Sequence, residues 1–439
     1  MTTQSPQSVL ILGTGLAGLT VAYHLSRQGY RVTLLGHPEW EDGFRTNASA
    51  AAPVLFGCHH ETWGVLRALD RGMFAQPDPT ISLEFRLPDG RVVAYRSAHL
   101  PGALQWMMSL FGFRGLAWRD RWKLFSHLEQ IWEQAQSLPA VLDSRIADEW
   151  LASIGQSRTA RDRIWNPLAQ WLTGNHLVRL SAATFVQLLS TMFLGQALDA
   201  RTTCLNGTVG DRFITPIKCA LEQGGVQIRP QSHQPDFRFG ESGVDGVQLR
   251  DDTLLQAQWY VIALSYQKLL ALLPERLQTR YAYFAHLSEL EALSEIAVQF
   301  TCRSTVRTPR LLLLANRPFD QFTITPLGPQ GVICRLSAIG NQALAALRDS
   351  QLIDLGRTEL YALYPEVGTD GIQSMEVSRD IHAALSLRPG TALLRPIQQS
   401  PIHNLLVAGA WTDTGWPPSV ESTTVSARRC VEIITAHPA

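Results

Sequence analysis

The residues with the plainest chemistry come first in the chain: Gly13, Gly15 and Gly18, spaced Gly-x-Gly-x-x-Gly, directly after the apolar run 9–12. In a strand–turn–helix unit the first glycine permits the tight turn. The second lets the backbone approach a pyrophosphate, and the third lets helix and strand pack closely. The helix that follows offers unbonded N–H groups and about half a positive charge to phosphate oxygens. Gly13, Gly15, Leu16, Ala17 and Gly18 are therefore the candidate diphosphate-binding residues. A carboxylate is expected at the end of the second strand, gripping the ribose hydroxyls. Gly36 stands there, followed by His37. A small residue before a cationic one suits a 2′-phosphate, as in NADP sites, although a single histidine is also an ordinary loop residue. His59 and His60 are adjacent and would point about 100° apart on a helix, so they cannot chelate one ion. With no zinc spacing, P-loop or Ser/His/Asp signature, no metal site is expected.

The elements that must position these groups follow from periodicity. A strand at 9–12, a helix from the glycine turn to about Gln28, and a strand at 31–35 form the first half of a doubly wound sheet. A helix is expected over 59–70. A hairpin is expected from 81–86 and 91–96, joined through Pro88-Asp89-Gly90. From Pro101 to about Gly195 the pattern is helical, with Ser157 and Ser181 as N-caps and Gly155, Gly174 and Gly195 as stops. A helix from about Asp211 precedes strands at 226–229, 247–250 and 259–264. Strands at 296–302, 311–315, 322–325 and 332–337 suggest a second, antiparallel sheet, followed by a helix over 341–363. A buried strand at 404–410 leads to a helix near 418–436.

Bulk properties narrow the class. At 439 residues the chain exceeds what one hydrophobic core comfortably supports, so two domains are expected. Lys+Arg and Asp+Glu both number 38, which leaves no net field to attract nucleic acid. The six cysteines lack Cys-x-x-Cys spacing and read as buried thiols of a reducing compartment. No signal-peptide pattern opens the sequence, and no apolar run is long enough to span a bilayer, so a cytoplasmic location is expected.

Several segments together are similar to one known family. They are Gly13–Gly18; Val54-Leu55-Phe56-Gly57-Cys58; Arg119-Asp120-Arg121-Trp122; Glu149-Trp150-Leu151 leading to Gly155-Gln156-Ser157; and Ile164-Trp165-Asn166-Pro167-Leu168. Near the C-terminus, Asn404 to Gly409 continues to Trp411-Thr412-Asp413-Thr414-Gly415 and Pro417. In this order, over nearly the whole chain, they resemble hydroxysqualene dehydroxylase, the squalene-associated FAD-dependent desaturase. That family lies within the phytoene desaturase and amine oxidase superfamily. The resemblance implies an α/β fold: a discontinuous doubly wound FAD/NAD(P)-binding (Rossmann-like) domain, with an interleaved α+β substrate domain. The expected divisions are 1–75, 200–265 and 385–439 for the first, and 76–199 and 266–384 for the second. It implies FAD as cofactor, NADPH as a candidate electron source, and reductive removal of an allylic hydroxyl from a long isoprenoid, giving squalene for hopanoid synthesis.

Departures from the family fall on the cofactor surface. The ribose-binding Glu is Gly36, the Gly-Gly-Arg loop is Asp42-Gly43-Phe44-Arg45, and the polar stretch before Val54 is Ser49-Ala50-Ala51-Ala52-Pro53. The Asp expected after the late Ala-Gly is Ala410, and the family's Glu-Gly-Ala is Glu421-Ser422-Thr423. Losing two charge-assisted bonds costs ~3–6 kcal/mol, on the order of a hundred- to ten-thousandfold in affinity. The implied cofactor-binding set is Gly13, Gly15, Leu16, Ala17, Gly18, Gly36, His37, Arg45, Gly409, Ala410, Trp411, Thr412 and Gly415. Removing a hydroxyl needs a proton donor. Asp413 and Glu421, flanking the last strand–helix turn, are the candidates, although a turn residue and a helix-dipole partner explain them better than catalysis does.

The stretch from Leu104 to Trp118 is the most lipophilic irregular segment, followed by Arg119, Arg121 and Lys123. Aromatics flanked by cations suit a bilayer surface, so peripheral contact with the inner membrane is expected there, with a packed helix as the ordinary alternative. Met192, Phe193, Trp165, Trp171 and Phe185 are candidates for an apolar pocket or plain core. Two functions stand from these readings. One is an isoprenoid oxidoreductase. The other is a redox-inactive flavin-fold protein that binds or assembles with an isoprenoid-pathway enzyme. An amine oxidase is a third option that the Leu104–Trp118 stretch speaks against.

Overall fold

A computed structural model describes residues 7–37, 40, 53–69, 81–96, 103–137, 140–194, 196, 198–205, 207–231, 233–240, 243–304, 306, 308–327, 330–368 and 371–437. Three separate parts of the chain build one five-stranded parallel sheet. Strand β1 (Ser8–Leu12) lies at its centre, between β2 (Arg31–Gly36) and the strand Trp259–Ile262. Leu405–Val407 closes one edge and Gln227–Pro230 the other. The central strands are apolar at most positions because both sheet faces are covered. Val9, Ile11, Val32, Leu34, Val261 and Leu406 face helix α1 (Leu16–Arg27) and the long helix Val420–Ala436. Leu10, Leu12, Leu35, Ile262, Leu405 and Val407 face the other way, in one core with Val244 and Val247 of a three-stranded antiparallel sheet.

A second, seven-stranded sheet runs in the order Ile372–Leu385, Ala292–Arg303, Gly331–Ile339, Gln321–Pro326, Arg310–Leu314, Leu83–Arg86, Val92–Tyr95. One face is apolar, with Val298, Phe300, Phe322, Ile324, Cys334 and Leu336 packed with Leu352 and Leu360 of the helix Asp349–Leu363. Helices between Ala103 and Leu194 fill the space beside it.

Most expected elements are present within a few residues of their expected ends. Ser157 and Ser181 cap helices as expected, accepting bonds from the amides of Ala160 and Thr184. Gly155 and Gly174 end helices at φ of +81° and +72°, the left-handed region that favours glycine. Gly195 lies outside the described residues. The helix expected over 341–363 is two helices, Gln342–Ala345 and Asp349–Leu363. The strand Ile372–Leu385 has no counterpart in the expectations. The stretch from Leu104 to Trp118 is not irregular: Ala103–Gly112 is helical and Trp118 opens the helix Trp118–Ser126. Five cysteines are buried and free as expected, while Cys219 is exposed.

Candidate functional site

The three glycines of the first turn do different work. At Gly13, φ is +111° and an added Cβ would lie 2.4 Å from the Ala263 carbonyl oxygen. At Gly18 it would lie 2.1 Å from the Gly13 carbonyl oxygen. Both are glycines because backbone packs against backbone. Around Gly15 an added Cβ meets nothing within 4 Å. Gly15 is the N-cap of α1 with no side-chain cap, so the first amides of the helix are left for another partner. It opens, with Leu16 and Ala17, onto a cavity of about 520 Å³. That is the volume and position of a small-molecule site at the carboxyl ends of parallel strands.

The far wall is the loop after Leu405–Val407. Gly409, Ala410 and Trp411 line the cavity, as do Trp416 and Pro417. Arg395 holds this loop: its guanidinium donates to the carbonyl oxygens of Ala410, Trp411, Thr412 and Trp416. Burial pulls its pKa down to about 10, so it stays charged at neutral pH. The Trp411 indole is fixed by a 2.9 Å bond to the Leu264 carbonyl oxygen. The crevice is thus open and its rim is rigid.

The ribose end is altered. Where residue 36 would carry a Cβ, Thr14 Cγ2 is 2.9 Å away, so a side chain there would press on Thr14. His37 packs on Trp40, ring centroids 5.4 Å apart, and Trp40 lines the cavity. Of the expected cofactor-binding residues, Gly15, Leu16, Ala17, Gly409, Ala410 and Trp411 line the cavity. Gly13, Gly18, Gly36, His37, Thr412 and Gly415 are not among its lining residues. Arg45 and Ser49 to Ala52 lie outside the described residues.

The two expected acids have other roles. Glu421 is buried, and its carboxylate accepts bonds from the amides of Glu61 and Thr62 and from the Thr62 hydroxyl, at 3.1, 2.9 and 2.6 Å. It caps the helix His60–Leu69 and is not among the cavity's lining residues. Asp413 is exposed and accepts from the Gly415 amide at 3.2 Å, an Asx turn. Neither of these two candidate acids is among the residues that line the cavity.

Groups that sequence reasoning missed stand on the cavity floor. The seven-stranded sheet turns its second face inward, and that face is polar: Glu295, Gln321, Thr323, Arg335, Ser337 and Asp380 all line the cavity. Arg335 and Glu295 form an ion pair at 3.0 Å with side chains 7% and 10% exposed. Alternation of polar and apolar residues along these strands was the available signal, but alternation alone assigns the polar face to solvent. His59 lines the wall beside Trp416 and Phe56. Its Nδ1 accepts the Phe56 amide at 3.3 Å, and burial pushes its pKa down to about 4, so it presents a neutral ring. No group of metal-binding character occurs among the described residues.

A second, smaller cavity of about 90 Å³ is lined by Leu83, Phe85, Tyr95, Phe113, Trp165 and Phe193 together with further aliphatic side chains. Phe193 sits edge-on to Phe56, centroids 6.3 Å apart, so two aromatic rings stand between the apolar cavity and the main one. Trp165 and Phe193 are pocket residues as expected, Met192 and Trp171 line the main cavity, and Phe185 is core.

Against known proteins, a family model described as flavin containing amine oxidoreductase matches residues 40–435, and one for an NAD(P)-binding Rossmann-like domain matches residues 11–39. Among curated relatives, the chain is 23% identical to 15-cis-phytoene desaturase of Solanum lycopersicum, covering 98% of this chain and 78% of that one. It is 22% identical to a probable zeta-carotene desaturase of Synechococcus elongatus, covering 97% and 98%. Among solved structures, an oxidoreductase from Methanosarcina mazei superposes with a TM-score of 0.71 at 14% identity, over 97% and 100% of the two chains. Cyclohexylamine oxidase from Brevibacterium oxydans superposes at 0.67 and 15% identity, over 98% and 99%. These superpositions show the fold.

Proposed function

The chain belongs to the family of flavin-containing amine oxidoreductases, and from that premise we propose that it is an FAD-dependent oxidoreductase acting on a long apolar isoprenoid. The proposed reaction is reductive removal of an allylic hydroxyl, as in hydroxysqualene dehydroxylase, with NADPH as the electron source. The observation that carries this reading is the open cradle at Gly15. It continues past Trp411 to the floor of the second sheet and, behind Phe56 and Phe193, to an apolar pocket.

The amides of Leu16 and Ala17 would meet the diphosphate, and Gly409, Ala410 and Trp411 would flank the ring system. Flavin held there would supply hydride chemistry, and the allylic hydroxyl would leave as water with a proton taken from the medium. The chain's own residues do the rest. Arg395 keeps the 410–416 loop in place, the apolar pocket excludes water from the chain of the substrate, and His59 offers a neutral imidazole to the cavity. The relatives that match nearly the whole of this chain, named as phytoene and zeta-carotene desaturases, support a long isoprenoid as substrate. We place the molecule on a membrane surface through the helices Ala103–Gly112 and Trp118–Ser126, where Met108, Trp118 and Trp122 are exposed beside Arg119 and Lys123. An isoprenoid substrate is delivered from there.

Two observations favour a second reading, a redox-inactive partner of an isoprenoid enzyme: Gly36, packed close to Thr14, offers no carboxylate to a ribose, and Ala410 offers none on the flavin side. Purified protein separates the two. The first reading expects a yellow preparation that releases FAD on denaturation and converts hydroxysqualene more readily than phytoene. A colourless preparation that refuses added FAD sinks it and leaves the second.

A further inference from the structure

The floor of the cavity is built as rows across four paired strands. Register places Asp380 opposite Glu295, Arg335 opposite Thr323, and Ser337 opposite Gln321. All of these residues line the cavity. Their partners are unevenly distributed. Gln321 donates to the Ser337 hydroxyl at 2.7 Å, and Arg335 Nη2 to Glu295 Oε2 at 3.0 Å. Asp380 Oδ1 accepts the His382 amide at 2.9 Å, which fixes the carboxylate. Asp380 Oδ2 and the Thr323 hydroxyl are buried and have no hydrogen-bond partner among the described residues.

A hydrocarbon lying on this floor would return no bond to those atoms, which is the costly way to bury polar groups. A hydroxyl accepts one bond and donates another, so it can lie between a guanidinium and a carboxylate. An ammonium would suit Asp380 but would meet the charge of Arg335. Buried ion pairs contribute little net stability compared with apolar packing, so the fold itself does not call for this one. We propose that Arg335, with Thr323 and Asp380 beside it, binds an oxygen function on the substrate, so that the cavity selects an oxygenated long-chain lipid over the matching hydrocarbon. The inference rests on the isoprenoid reading above and names the residues that set its specificity.

Trp171, Trp411 and Trp416 line the cavity, so intrinsic fluorescence reports binding without turnover. The probes are geranylgeraniol, the same hydrocarbon without its hydroxyl, and geranylgeranylamine, each titrated in detergent into the protein as purified. The wild type binds the alcohol about tenfold more tightly than the hydrocarbon. In the double variant Glu295→Gln/Arg335→Met, which removes both charges of the ion pair together, the ratio falls to about one. Hydrocarbon binding is unchanged there, which also shows that the cavity is intact. Thr323→Val, of similar shape, lowers the ratio part of the way. Equal binding of alcohol and hydrocarbon by the wild type, an unchanged ratio in the double variant, or tightest binding of the amine overturns the assignment and leaves the isoprenoid reading standing. Failure to bind any probe overturns that reading and this inference with it.

Discussion

Two glycines of one turn, Gly18 and Gly15, separate packing from ligand approach. Gly18→Ala forces a Cβ to within 2.1 Å of the Gly13 carbonyl oxygen, and overpacking of this kind costs about 1–3 kcal/mol. Gly15→Val meets no protein atom at its Cβ, and φ of −74° suits any residue. The expected outcome is a lowered melting temperature for Gly18→Ala. For Gly15→Val, melting is nearly unchanged while flavin content falls about tenfold, the equivalent of ~1.4 kcal/mol. Equal flavin content in Gly15→Val and wild type would mean that the cradle is not used. His59 makes a second claim at this scale. Burial lowers its pKa from 6.5 to about 4, with the charge of His60 adding to the effect. The unfolded chain therefore binds the proton first. The stability this residue contributes is present above pH 6.5 and is lost as pH falls towards 4, by at most ~3 kcal/mol. Asp320, whose carboxyl burial raises to about 6, works in the opposite sense over an overlapping window. Melting curves of His59→Phe across that range should show a smaller loss on acidification than wild type, and parallel curves would refute the assignment.

Helices and strands hold the site through contacts between parts of the chain far apart in sequence. The helix His60–Leu69 takes its cap from Glu421, while the helix that carries Glu421 is capped by Ser419, whose hydroxyl accepts the Ser422 amide. One carboxylate thus joins two helices. Glu421→Gln removes the charge from these bonds and should destabilise the protein by about 1–3 kcal/mol with flavin content unchanged, read by denaturant unfolding. Loss of flavin without loss of stability would return Glu421 to the list of cofactor groups. Strands of the parallel sheet were legible because both faces are apolar. The strand Ile372–Leu385 was not: it is an edge, largely exposed, with Glu376, Arg379, Asp380 and His382 along it. Its pairing comes from the backbone of Ala292–Arg303, which no local pattern announces.

On the scale of the whole molecule, the two sheets enclose the cavity and the helices beside it lead outward. Trp118 and Trp122 are 62% and 53% exposed, and Arg121 lies over the Trp118 ring. Large aromatics in water beside cations suit an interface between headgroups and acyl chains. Trp118→Ser combined with Trp122→Ser should reduce co-sedimentation with anionic vesicles several-fold while melting stays unchanged, since neither ring is buried. Undiminished co-sedimentation would remove these helices as the contact. No helix of the described residues is long and apolar enough to cross a membrane.

From the sequence alone came the α/β class, the glycine turn with its helix, the order of most strands, and the altered residues at Gly36 and Ala410. Each of these is local: a spacing, a periodicity or a missing carboxylate within a few residues of a recognisable strand. Tertiary structure alone decided that Gly15 faces a cavity while Gly13 and Gly18 face backbone. It also showed that Thr14 packs close to Gly36 and that Glu421 serves a distant helix. Above all it turned the polar face of Glu295, Thr323, Arg335 and Asp380 inward. Alternation along a strand tells which residues share a face; only the layer packed against that face determines whether it meets water or a ligand.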